Sequence, residues 1–194
     1  MMRAGLRKWA CDLTLDPNTA HTHLVLSDEN KKITCVFEDQ PYPDHPERFD
    51  RVPQVLSVES LTGRCYWETE WSGYNAFISV SYKGINRKGV RDCVFGFNDK
   101  SWSLFCSDYS FSVYHNNNRT VLSAVPSSCK RVGVYVDVSA GVLSFYSVSD
   151  THTLTHLHTH TLTHLHTLNT TFTEPLYAGF RLYYPDSSVS LCDI

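Results

Sequence analysis

Between residues 131 and 138 the chain reads RVGVYVDV. Val132, Val134, Val136 and Val138 fall on one side of an extended chain, with Gly133, Tyr135 and Asp137 on the other. The turn residues Ser139, Ala140 and Gly141 follow. Then VLSFYSV points Leu143 and Phe145 one way and Val142, Ser144, Tyr146 and Val148 the other. Two period-2 runs around a short glycine-containing connection predict an antiparallel hairpin. Shorter runs of the same kind predict strands at 24–26, 33–37, 66–70, 76–82, 94–97, 102–106, 111–114 and 176–182. No window of helical length carries a 3.6-residue apolar stripe. The pattern predicts an all-β protein, a sandwich of two antiparallel sheets.

Two stretches break the pattern. Residues 38–53 (EDQPYPDHPERFDRVP) are rich in proline, which removes ladder donors, and in charges, which resist burial; they predict a surface loop. Residues 151–158 (THTLTHLH) recur letter for letter at 159–166. Eight is even, so the extra copy leaves every later side chain on its own face, and a loop or hairpin would tolerate it.

Composition agrees with the periodicity. Val (18), Thr (17), Tyr (11) and Phe (10) are abundant, whereas Ala, Glu and Lys number seven each. At 194 residues one domain with one core is expected. A net charge of −3 gives no electrostatic drive toward nucleic acid. No apolar run spans a bilayer, and Arg3, Arg7 and Lys8 precede no signal-like apolar stretch. The seven cysteines are scattered without a Cys-x-x-Cys, which predicts reduced thiols, no zinc site and a cytoplasmic protein.

Candidate chemistry is thin. Six of the ten histidines (152, 156, 158, 160, 164 and 166) lie in the duplicated tract, where His-x-His on an extended chain shares one side. No Asp, Glu or Cys lies within it to complete a metal shell, so it reads as an exposed polar loop, and no metal or cofactor is expected. Glu68 and Glu70 could mimic a glycosidase carboxylate pair, but the alternation of WETEW predicts a solvent-facing strip opposite Trp67 and Trp71. Arg64 beside Cys65 could lower its thiol pKa. Without a nucleophile or phosphate-loop motif, no catalytic residue is assigned.

Several motifs in fixed order carry a resemblance. LTLDPNTA (13–20) and LVLS (24–27) look like the opening of a PRY segment. Arg48-Phe49 through Gln54-Val55-Leu56 into GRCYWETEW (63–71) is similar to a PRY–SPRY junction. GFNDKSWSL (96–104), VGVYVD (132–137), AGVLSFY (140–146) and PLYAGF (175–180) complete the pattern. The chain resembles a PRY-SPRY (B30.2) domain, similar to the C-terminal domains of fish tripartite-motif proteins and NLR-type receptors.

That resemblance implies a bent, jelly-roll-like sandwich: an extension over 1–12, a PRY segment over 13–53 and a SPRY segment over 54–194, with one shared core. It implies a non-catalytic module for innate immunity or ubiquitination that binds a protein, and no nucleic acid, membrane or small-molecule substrate. Recognition would use loops at 27–32, 40–53, 72–75, 83–91, 107–110, 115–120 and 183–187, on a rigid scaffold. Tyr74, Phe105, Tyr109, Tyr183 and Tyr184 would be aromatic anchors, with Arg87 and Lys88 as charged partners. A lectin, hinted at by Asn116–Asn118 beside Tyr114, and the end module of a fish pore-forming toxin are the alternatives.

Overall fold

A computed structural model describes every residue except 1–3, 124, 127 and 153–157. One helical turn, α1 (Ala4–Arg7), precedes thirteen strands: β1 (Leu24–Ser27), β2 (Lys32–Cys35), β3 (Gln54–Leu61), β4 (Arg64–Ser72), β5 (Asn75–Tyr82), β6 (Ser101–Ser107), β7 (Phe111–His115), β8 (Asn118–Leu122), β9 (Arg131–Asp137), β10 (Val142–His152), β11 (His158–Asn169), β12 (Leu176–Arg181) and β13 (Ser188–Leu191). They form two antiparallel sheets, a seven-stranded one in the order β1-β2-β13-β4-β9-β10-β11 and a six-stranded one in the order β3-β12-β5-β6-β7-β8. This is the all-β sandwich that the alternation predicts. Within the sheets, β1, β2 and β3 join the remaining strands only through β13 and β12.

The main core fills the space between the sheets. Trp67, Trp71, Val132, Val134, Val136, Leu143 and Phe145 come from one, and Ile78, Val80, Trp102, Leu104, Val113 and Phe180 from the other. Leu13, Leu15, Leu24 and Ile33 belong to the same cluster, so the first fifty residues share the core. Two satellite clusters cover the outer faces. Leu6 from α1 packs on Tyr66, Tyr146, Val148 and Leu162 outside the seven-stranded sheet. Phe49, Val52, Leu56, Ile85, Val94 and Phe95 pack outside the six-stranded one.

Several expectations change. Residues 94–97 are not a strand. Gly96 sits at φ +89°, where its missing Cβ allows it to approach Tyr114 and Ser103, and the Phe97 amide turns back to the Val94 carbonyl. The 38–53 segment is irregular but well anchored: Phe49 is fully buried, and buried Arg48 donates to the carbonyls of Pro43, Pro17 and Ala20. The second repeat copy is strand and not loop. It lies within β11, paired to β10, with Leu162 opposite Val148 and buried.

A bulge between Phe145 and Tyr146 in this pairing sets His164 opposite Tyr146 and His166 opposite Phe145. The two imidazoles of that His-x-His therefore belong to opposite faces, and burial lowers the pKa of His166. His156 lies outside the described residues. Glu68, expected at solvent, is fully buried: the Tyr66 hydroxyl donates to it at 2.6 Å and Arg131 at 2.8 Å. The N-terminal extension and the last residues of the chain pack over that face, which the alternation of β4 alone does not reveal.

Candidate partner-binding face

The outer face of the six-stranded sheet has two rows. Antiparallel register places Arg181, Phe77 and Phe105 side by side on β12, β5 and β6. The next row holds Gly179, Ser79, Ser103 and Tyr114. Small residues in the second row admit the irregular segment 83–100. The Phe95 ring rests where a Cβ on Gly179 would stand 2.8 Å from it. Gln54, fully buried on β3 opposite Arg181, fixes this segment by donating to the Cys93 carbonyl at 2.6 Å and accepting from the Phe95 amide at 2.9 Å.

Beyond the segment's edge the first row is only partly covered. Phe105 leans on Phe77 at 5.0 Å between ring centroids, and the Arg181 guanidinium lies 4.8 Å over the Phe77 ring. It also reaches Tyr183, at 5.5 Å. Tyr183 meets Tyr184 at 5.1 Å, and Tyr184 meets Tyr74 of the β4–β5 turn at 4.8 Å. Tyr74, Tyr183 and Tyr184 are 66, 57 and 41% exposed, large for rings in mutual contact. Gly73, at φ +94° with Ser187 against its Cβ position, holds the two tyrosine-bearing turns together.

A cavity of about 470 Å³ opens between this margin and residues 90–97. Val90, Val94 and Phe97 supply its apolar wall, Arg91, Asp92 and Asn117 its polar rim, and Arg181 enters from β12. The Arg181 Nε is buried without a hydrogen-bond partner, and its guanidinium forms no ion pair with any described residue. Burial pushes its pKa down.

The sequence candidates thus divide. Tyr74, Tyr183 and Tyr184 come together, and Phe105 lies two rings away across Arg181 and Phe77. Tyr109, 91% exposed at the β6–β7 turn, makes no ring contact with them. Arg87 points inward. Its donors go to the carbonyls of Ile85, Glu47 and Lys83, and its guanidinium lies over buried Phe49. Lys88 donates to His45 and Arg48 carbonyls. This pair staples two distant loops together; Arg87 is buried in doing so, whereas Lys88 stays exposed. Sequence reasoning passed over Phe77, Phe97 and Arg181. Phe77 did leave a trace, as an aromatic among Asn75, Ser79 and Ser81 on one side of its strand, and Arg181 did so as a cation in line with Tyr177 and Gly179.

The other candidates have structural duties. Asn116 and Asn117, at φ 49° and 66°, form the two-residue β7–β8 turn, a geometry that favours asparagine. The Cys65 thiol is brought down to about 7, chiefly by the Cys11 thiol beside it and not by Arg64, which pairs with Asp137 and lies over Trp9. Among the described residues no group of three or more His, Cys, Asp or Glu could hold a metal. No described helix is long and apolar enough to cross a membrane.

The PRY family, a SPRY-associated domain, matches residues 13–61. The chain is 38% identical over 192 residues to mouse tripartite motif-containing protein 16, covering 96% of this chain and 32% of that protein. It is 42% identical over 182 residues to stonustoxin subunit beta of Synanceia horrida, covering 93% of this chain and 24% of the subunit. The solved TRIM65 PSpry domain superposes with a TM-score of 0.84 at 27% identity, over 99% of this chain and 95% of that one. The stonustoxin structure does so with a TM-score of 0.87 at 34% identity, over 98% of this chain and 30% of that one. The chain thus spans a third or less of these curated relatives.

Proposed function

The chain is a PRY-SPRY (B30.2) domain in sequence and fold, and from that premise we propose that it is a non-catalytic module that recognises a protein through the Tyr74–Tyr183–Tyr184 face. The observation that carries the reading is a row of three solvent-facing tyrosines, Tyr184 touching both Tyr74 and Tyr183, beside a guanidinium that forms no ion pair among the described residues. Tyrosine and arginine supply rigid contact area and directed hydrogen bonds, the properties that concentrate binding energy in interfaces. We assign the module to a cytoplasmic innate-immune or ubiquitin-ligase-associated protein, of tripartite-motif or NLR type. The similarity to mouse tripartite motif-containing protein 16 supports this.

Proximity labelling in cells tests it, comparing wild type with the Y183A/Y184A pair. A set of proteins labelled by wild type and lost from the pair, with thermal unfolding unchanged, is the expected result. Replacing the tract histidines by Gln should leave the set intact. Equal labelling by both forms overturns the reading, and labelling that responds to the histidines and ignores the tyrosines moves the site to the repeat.

The 42% identity to a toxin subunit favours a second reading, as one module of a cytolytic protein. Lysis of erythrocytes by the protein that carries this chain, lost when the chain is removed, would establish it.

A further inference from the structure

We propose that the cavity beside Arg181 receives the carboxylate of an Asp or Glu side chain from an extended segment of the partner protein, with Arg181 its principal donor and Arg91 its second. This rests on the reading of the face as a protein-recognition surface and names the chemistry of what it recognises.

A mostly buried guanidinium is normally paired, because desolvating a cation without a counter-charge is costly. Among the described residues the Arg181 guanidinium lies over two rings, Phe77 at 4.8 Å and Tyr183 at 5.5 Å, and pairs with no carboxylate. Neither contact is a hydrogen bond to an oxygen, so the N–H groups of the fork find no acceptor in them. The buried Nε has none within the described chain. A carboxylate matches that fork with two parallel hydrogen bonds.

Charge narrows the choice of anion. The cavity lining holds Arg91 and Arg181 against Asp92, an excess of one positive charge. One carboxylate neutralises it. A phosphoryl group, carrying nearly two charges, would leave an excess facing Asp92. The surroundings narrow the sequence context. Val90 is 64% exposed at the mouth, Phe97 stacks on Tyr114 along the wall, and Tyr183 flanks Arg181. Residues on either side of the acid would therefore rest on apolar and aromatic surface, so the favoured segment is an acidic residue between aromatic or large aliphatic ones.

A random peptide library displayed with fused C-termini, selected on the folded protein, tests this and removes terminal carboxylates as a source. Enriched peptides should carry Asp or Glu beside an aromatic or large aliphatic residue. Synthetic, C-terminally amidated versions should lose at least tenfold in affinity when the acid becomes its amide, and again for Arg181→Gln. Arg91→Gln, an exposed position, should cost several-fold with thermal unfolding unchanged, and keeps the test decisive should Arg181→Gln fold poorly. Phosphoserine in place of the acid should bind more weakly, and tighter binding overturns the carboxylate in favour of a phosphopeptide. A library that yields no enrichment, peptides without acidic bias, or equal affinity for the arginine variants also overturns it. Peptides that need Tyr183 and Tyr184 but ignore both arginines leave protein recognition standing and remove only the carboxylate. Peptides indifferent to all four residues remove both.

Discussion

Glu68 of β4 is fully buried, and Arg131 of neighbouring β9 donates to its Oε1 at 2.8 Å. The same carboxylate takes the Tyr66 hydroxyl at 2.6 Å, and the Tyr66 ring crosses Gly133, where an added Cβ would stand 2.5 Å from that hydroxyl. Charge, phenol and missing side chain form one unit beneath the chain's two ends. Removing the cation alone strands a buried anion. Arg131→Met should therefore lower stability by roughly 2–4 kcal/mol in urea unfolding, somewhat less than for a fully buried pair because Arg131 is partly solvated. Glu68→Gln, which leaves no stranded charge, should cost less.

Trp67 and Trp102 are both core residues. Trp102 stacks on His115 at 4.6 Å and meets Tyr82 edge-on at 5.4 Å. Truncation of either to Ala should cost about 3–5 kcal/mol, read as a lowered urea midpoint. Wild-type midpoints would contradict the strand packing.

Gln54 links the first part of the chain to the segment that roofs the six-stranded sheet. Gln54→Leu leaves the Cys93 carbonyl and Phe95 amide without their partner, at about 1–3 kcal/mol. Hydrogen exchange should accelerate over 90–97 before it does elsewhere.

His21 is buried, and its Nδ1 accepts the His23 amide at 2.9 Å, so the fold requires the neutral ring. Burial, followed by the nearby His23, lowers its pKa from 6.5. The unfolded chain thus binds a proton more readily. Stability from this group is full above pH 6.5 and is lost as pH falls through the lower folded value. His166 acts in the same direction. The melting temperature should fall as pH drops below 6.5, and His21→Gln should flatten that slope.

The repeat allows a length test. Val148 pairs with Leu162 and His152 with His158 in the backbone register, so deleting one eight-residue copy removes four pairs from the hairpin and leaves five residues between its arms. The buried Val148–Leu162 contact survives. Stability should change by no more than about 1 kcal/mol, because loop length is unchanged and only outer pairs are lost. A collapse of the melting transition would make the outer arms part of the core.

Where alternation was strong, as at Val132, Val134 and Val136, strands and faces were legible. The repeat was not, for a reason visible in β11. Leu165 and Leu168 both pack on the main core although they are three apart, which a regular strand forbids and the bulge permits. Glu68 was misplaced because period-2 logic assigns faces without knowing what covers them. Arg87 was misassigned because exposure was inferred from its loop, whereas the distant Glu47 carbonyl and the Lys83 and Ile85 carbonyls of its own loop converge on it. The tyrosines were legible from turn position and type. Their contact was not, because β12 must first lie beside β5 to bring Tyr184 to Tyr74.

The place of β12 and β13 constrains how this protein can be made. As the chain leaves the ribosome, β3 emerges early but has no neighbour in its sheet until β12 follows, and the β1–β2 hairpin waits for β13. The six-stranded sheet cannot be completed before Arg181 is made, nor the seven-stranded one before Leu191. Their unpaired edges stay open to other nascent chains until then. A stop codon just before Leu176 would therefore be as damaging as one in the middle of the domain, and chaperone occupancy on polysomes should persist until β12 and β13 are released.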